Sequence, residues 1–250
     1  MNQTNKRNVT LIIIVAALGY FVDIYDLILF SIVRVKSLKE LGVADADLLD
    51  IGATVIKSQM FGMLVGGILW GILGDKKGRL SVLFGSIILY SLANIANGFV
   101  TSVYWYTIIL FIAVFGLAGE LGAGITLVTE NMSKENRGYG TMIVAGVGLL
   151  GAVAAALIGD YYTWQTSYFI GGGMGLLLLL LRVGLAESGM FTDVKNSNIK
   201  KGNILMLFNN AGRFKKYLCC ILIGLPLWFV VGVLITFSPE FGKALNATEV

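Results

Sequence analysis

Histidine is absent from the 250 residues. Its absence removes Ser-His-Asp hydrolysis, imidazole proton relays and most transition-metal sites. Cysteine is limited to the adjacent Cys219 and Cys220 inside one apolar run, which offer neither a disulfide framework nor a metal spacing. Proline occurs only as Pro226 and Pro239. No G-x-x-x-x-G-K-[ST] phosphate loop is present, which disfavours ATP-driven work within the chain. Charge is scarce at 14% against 56% hydrophobic residues, and mean hydropathy is +0.81. That balance belongs to an integral membrane protein. The pI near 9.0 does not signal nucleic acid, because the basic residues fall between the apolar runs.

What is abundant is long apolar sequence, punctuated by 32 glycines. Such glycines suit closely packed transmembrane helices. Apolar segments cover about 9–33, 51–73, 81–100, 105–130, 141–160, 168–185 and 218–238. The first reaches roughly 37 Å as a helix, enough to cross a hydrocarbon core about 30 Å thick with some tilt. Lys6 and Arg7 before it resemble a signal-peptide start, but the run is too long for a signal core and reads as a permanent span. With the N-terminus inside, Lys6, Arg7, Lys76, Lys77, Arg79, Lys134, Arg137, Arg182, Lys195, Lys200, Lys201, Arg213, Lys215 and Lys216 are cytoplasmic. Arg34, Lys36, Lys39 and Lys243 face out, so the positive-inside rule predicts a cytoplasmic N-terminus. The expected organisation is a six-span domain over 1–185, a central cytoplasmic loop over 186–217, and a seventh span opening a further domain over 218–250. One helix after a complete six-helix unit suggests the front part of a longer chain, with a seven-helix protein as the alternative.

The loop after the second span reads "GILGDKKGRLSVL". Gly78 allows a sharp turn, and Asp75 and Arg79 place opposite charges where helix ends meet. The loop resembles the signature G-x-x-x-D-[RK]-x-G-[RK]-[RK] of the major facilitator superfamily, matched by Gly71, Asp75, Lys76, Gly78 and Arg79, with Leu80 departing from the last basic position. Glu130 and Arg137 form an E-x6-R element in "TENMSKENRGYG", and Glu187 in "LAESGM" is similar to the centre of the P-E-S-P-R element of sugar porters. The resemblance implies an all-α fold of that superfamily: the N-terminal six-helix bundle plus one helix of a C-terminal bundle. It also implies that Asp75, Arg79, Glu130, Arg137 and Glu187 form a cytoplasmic gate.

Two aspartates interrupt the first span in "GYFVDIYDLILF", where each carboxylate costs on the order of 3 kcal/mol near the bilayer centre. Asp23 and Asp26 are i, i+3 and share a helix face with Gly19, so they must line a cavity or pair inside the bundle. Groups so placed can load and release protons; the alternative is a permanent ionic bridge to Lys57. Lys57 lies roughly 9 Å from the outer end of the second span and Asp26 roughly 10 Å from that of the first, a depth at which antiparallel neighbours can pair. Lys57 can equally snorkel to an interface. Glu120, in "LAGELGAG" of the fourth span, lies roughly 22 Å below Trp105 and nearer the cytoplasm. These stretches resemble the E-W-F-D-F and G-G-E-Y-G-G patterns of the metabolite:H+ symporter family, with Asp23, Asp26 and Glu120 on its acidic positions. That family's second-helix arginine falls on Met63 here.

The resemblance implies a secondary transporter that moves a small polar solute, an organic acid, osmolyte or sugar, by alternating access with proton symport. Its expected partners are the solute, protons, the lipid bilayer of the cell membrane and a C-terminal half of the same chain. A sugar porter or uniporter, or a nutrient sensor on the same fold, are the rival readings. No catalytic pair, metal-ligand set or cofactor motif is visible, so an enzyme is not expected.

Overall fold

The computed structural model describes residues 3–77, 79–131, 137–187 and 208–245. Among them the helices are α1 (Gln3–Glu40), α2 (Leu48–Lys77), α3 (Arg79–Asn97), α4 (Val103–Asn131), α5 (Arg137–Tyr161), α6 (Trp164–Glu187) and α7 (Ala211–Phe229). A π-helical segment, Val230–Ile235, and the short α8 (Ser238–Ala244) follow, and no strand occurs among the described residues. Helix is the expected answer for these runs, since a backbone in hydrocarbon must satisfy its own polar groups. Six of the helices are long and apolar enough to cross a membrane, and α3 contributes a shorter apolar stretch, Ser81–Asn97.

The chain divides into two compact units, Met1–Gly202 and Asn203–Val250. In the first, α1 packs chiefly on α5, α2 on α4, and α3 between α4 and α6. Glycines set the closest crossings. A Cβ at Gly151 of α5 would strike the backbone oxygen of Phe21, and one at Gly66 of α2 would strike that of Phe115 in α4. Tyr25, Leu29, Phe30, Val33, Tyr106 and Trp164 form the largest apolar cluster, towards the C-terminal half of α1. Hydrogen bonds tie that end together. Trp164 Nε1 and Gln165 Nε2 each donate to Glu40 at 2.7 Å, Tyr25 Oη donates to the Ser167 carbonyl at 2.8 Å, and Lys36 Nζ donates to the Gly159 carbonyl at 3.0 Å.

The helices overrun the apolar segments. α1 continues past Val33 to Glu40 and closes in a Schellman turn, with Val43 N donating to Leu38 O and Gly42 N to Lys39 O, both at 3.0 Å. Gly42 supplies the left-handed residue that this turn requires, at φ +87°. Two arginines expected outside the membrane are buried in the bundle: Arg34 against Gly52 of α2, and Arg182 inside α6. In the second unit, α7 starts at an Asn210 cap, whose Oδ1 accepts from Gly212 N at 2.8 Å. The seventh apolar run is not one regular α-helix, because its last part follows the π-helical path. There Thr236 Oγ1 donates to the Val231 carbonyl at 3.1 Å.

Candidate functional site

Gly19, Asp23 and Asp26 lie on α1 at i, i+4 and i+7, one continuous face. That face meets charge at its first position. Arg182 Nη2 of α6 donates to Glu120 Oε1 of α4 at 2.5 Å, and both residues are buried. Gly19 makes room for the pair: a Cβ there would fall on the guanidinium and stand 2.7 Å from Glu120 Oε1. The pair is not closed, since Glu120 Oε2 and Arg182 Nη1 are buried without hydrogen-bond partners.

Asp23, one turn along α1, is 1% exposed, and its Oδ1 has no hydrogen-bond partner. It interacts electrostatically with Glu120, Arg182 and Asp26. Asp26 follows, with both carboxyl oxygens buried and without hydrogen-bond partners. On α6, Gly171 lets the helix approach it, because a Cβ there would land on Asp26 Oδ1. From α3, the Asn94 amide lies alongside the Asp26 carboxyl but short of hydrogen-bond geometry. The result is three carboxyl groups and one paired guanidinium gathered among α1, α4 and α6.

Of the residues expected here, Asp23, Asp26 and Glu120 come together and Lys57 does not. Lys57 is exposed, whereas the buried stripe of α2 is Gly52, Val55, Gln59, Gly62 and Gly66. It stands two residues from both Val55 and Gln59, about 200° around the helix, and so points away from that stripe. The ionic bridge from Asp26 to Lys57 is therefore replaced by the Glu120–Arg182 pair. Arg182, read from sequence as a cytoplasmic charge, is the cation of this cluster.

The expected gate is only partly within view. Gly71 lies within α2, and Asp75 is exposed in its last turn. Arg79 opens α3, Arg137 opens α5, and Glu130 and Glu187 lie at the ends of α4 and α6. Gly78, and the side chains of Arg79, Glu130, Arg137 and Glu187, lie outside the described residues.

The profile of the Major Facilitator Superfamily matches residues 10–249. The chain belongs to the major facilitator superfamily. Within it, the chain is 29% identical over 184 residues to the putative niacin/nicotinamide transporter NiaP of Bacillus subtilis, covering 72% of this chain and 45% of that protein. It is also 29% identical over 199 residues to the sialic acid transporter NanX of Escherichia coli, covering 77% of this chain and 47% of the relative. The chain thus spans about half the length of these curated relatives. Its fold is similar to that of the proton:xylose symporter XylE, with a TM-score of 0.62 at 16% identity, over 97% of this chain and 55% of the symporter. The superfamily fold and the membrane-spanning helices together make this a multi-pass membrane protein. The superfamily and these relatives are transporters and not enzymes.

Proposed function

We propose that this superfamily member carries small organic acids across the cell membrane by alternating access, driven by proton symport. One observation carries the reading: the carboxyl groups of Asp23, Asp26 and Glu120 are buried, Glu120 pairs with Arg182, Asp23 interacts with that pair and Asp26 with Glu120, and most of their remaining oxygens lack protein partners. A carboxylate held in that state inside a bilayer is costly unless it exchanges a proton or a partner. Proton loading at Asp26 and Asp23 answers that cost, and Arg182 holds Glu120 while they change state. The carboxylic-acid substrate class is supported by the names of two relatives, since niacin and sialic acid are both carboxylic acids.

Residues 1–185 then act as the N-terminal six-helix domain, with 186–217 as a cytoplasmic connection and 218–250 opening a second domain. The N-terminus lies in the cytoplasm, and Asp75, Arg79, Glu130, Arg137 and Glu187 close the inner gate. The second domain supplies the facing wall of a cavity that opens to alternate sides. The test is uptake by the transporter reconstituted in liposomes under an imposed inward proton gradient. A monocarboxylate such as niacin should accumulate, and collapse of the gradient should abolish the accumulation. Uptake equal with and without the gradient would reject proton coupling; no uptake of any carboxylate would reject the substrate class.

A further inference from the structure

No hydrogen bond fixes the carboxyl of Asp26, since both of its oxygens are buried without a partner. Packing must hold it instead, and one wall of its seat is bare backbone. A Cβ at Gly171 of α6 would overlap Asp26 Oδ1 and stand 3.0 Å from Tyr25 Cε1. The α-carbon of Gly171 thus lies against the carboxyl and the edge of the tyrosine ring beside it.

The tyrosine cannot easily give up that space. Tyr25 is fully buried, and its hydroxyl donates at 2.8 Å to the Ser167 carbonyl, one turn before Gly171 on the same helix. That bond pins the 167–171 turn of α6 against the turn of α1 that carries Asp26. The next two glycines of α6 meet other surroundings. A Cβ at Gly172 would stand 2.7 Å from the Ser91 carbonyl oxygen of α3, and one at Gly173 would meet nothing within 4 Å. Three consecutive glycines therefore face a carboxyl, a neighbouring backbone and open space. Of the three, only Gly171 makes room for a titratable group.

We propose that Gly171 is a positioning residue for proton coupling, whose missing side chain sets the seat of the Asp26 carboxyl between α1 and α6. An added methyl would take the volume of Oδ1. With the Tyr25 ring tied to α6, the soft response is rotation of the Asp26 carboxyl about its own side-chain torsions. The charged groups around that carboxyl are Asp23 on α1 and Glu120 on α4, and the titratable phenols are Tyr25, Tyr90 on α3 and Tyr168 on α6. Rotation changes its spacing to all of them. A misplacement of about 1 Å at a reacting group can cost on the order of 100-fold in rate. Substrate exchange at equal pH need not release a proton, so it is spared.

This role rests on the proton-coupled reading above, so its test includes a readout that does not need transport. Infrared difference spectra between acid and alkaline pH, taken on the transporter in lipid nanodiscs, report the Asp26 C=O band, assigned by its loss in Asp26→Asn. The band should shift in Gly171→Ala and stay in place in Gly173→Ala. In liposomes, Gly171→Ala should lose roughly tenfold or more in proton-driven uptake while exchange at equal pH stays within about twofold. Gly173→Ala should change neither mode. Should Gly171→Ala fail to fold, the substitution is repeated on Asp26→Ala, which removes the group that the methyl strikes. Folding should then return, and equal failure with and without the carboxyl would overturn the role. An Asp26 band indifferent to Gly171→Ala, proton-driven uptake unchanged in that variant, or an equal fall of both modes would also overturn it. A shifted band in a protein that transports nothing would support the seat while rejecting the transport reading. An Asp26 that never titrates would reject the proton-coupled reading and the role together.

Discussion

Replacing Arg182 by methionine keeps most of the side-chain volume and deletes the only cation of the buried cluster. Its partner Glu120 is 1% exposed and Arg182 itself 8%, so solvent gives the pair little screening. Breaking a buried ion pair from one side costs about 3–5 kcal/mol, because the remaining charge stays in a low-dielectric site. Removing both ends with apolar residues of similar size is close to neutral. Arg182→Met should accordingly lose about 3–5 kcal/mol of stability at neutral pH, and Arg182→Met with Glu120→Leu should recover most of it. Glu120 can escape its cost in the single variant only by taking up a proton, so the deficit should shrink as pH falls. Denaturant-induced unfolding of the purified chain in mixed micelles, followed by tryptophan fluorescence at several pH values, measures all three. A single variant within about 1 kcal/mol of the unmodified protein, or a double variant less stable than the single, would refute the reasoning.

Other consequences follow from the same packing. Gly151→Ala places a Cβ on the Phe21 backbone oxygen, which cannot rotate aside, and should cost about 1–3 kcal/mol by forcing α1 from α5. Gly146→Ala, on the same helix with nothing within 4 Å of the added carbon, should stay within about 0.5 kcal/mol in the same unfolding assay. Lys57→Met should leave proton-driven uptake within about twofold, since Lys57 is exposed and forms no ion pair among the described residues; a large loss would place Lys57 back in the coupling machinery. Glu40→Leu removes a carboxylate that accepts from Trp164 and Gln165. It should cost about 1.5–3 kcal/mol and shift the tryptophan emission, and an unshifted spectrum with full stability would contradict the hydrogen bonds to Glu40.

The architecture was legible because a run of apolar residues has few ways to satisfy its backbone in lipid, and hydropathy therefore located the six helices among the described residues that are long and apolar enough to span, together with the shorter apolar stretch of α3. The acids were legible for the same reason. An aspartate amid "GYFVDIYDLILF", or a glutamate amid "LAGELGAG", is too costly to be incidental. Arg182 escaped because it sits about three residues from the end of its apolar segment, where a basic residue is what the positive-inside rule expects. Only the burial of its side chain against Glu120 distinguishes it. Lys57 misled in the opposite direction: its depth suits a partner for Asp26, but depth does not fix rotation about the helix, and α2 turns it outwards. Asn94 escaped because an uncharged polar residue on a membrane helix carries little signal. That Asn94 lies alongside Asp26 depends on how α3 docks, which the sequence does not state. The ends of the helices were also hidden, since nothing in hydropathy stops α1 at Val33 or carries it to the Gly42 turn.

The proposed proton-coupled carriage of an organic acid is tested most directly at Asp26, the carboxyl that has neither of its oxygens hydrogen-bonded. The decisive measurement compares two modes of the reconstituted transporter carrying Asp26→Asn: accumulation driven by a pH gradient, and exchange of labelled for unlabelled carboxylate at equal pH. Accumulation should disappear while exchange persists, because exchange need not release a proton. Accumulation at the unmodified rate in Asp26→Asn, and again in Asp23→Asn and Glu120→Gln, would contradict a coupling role for these carboxylates.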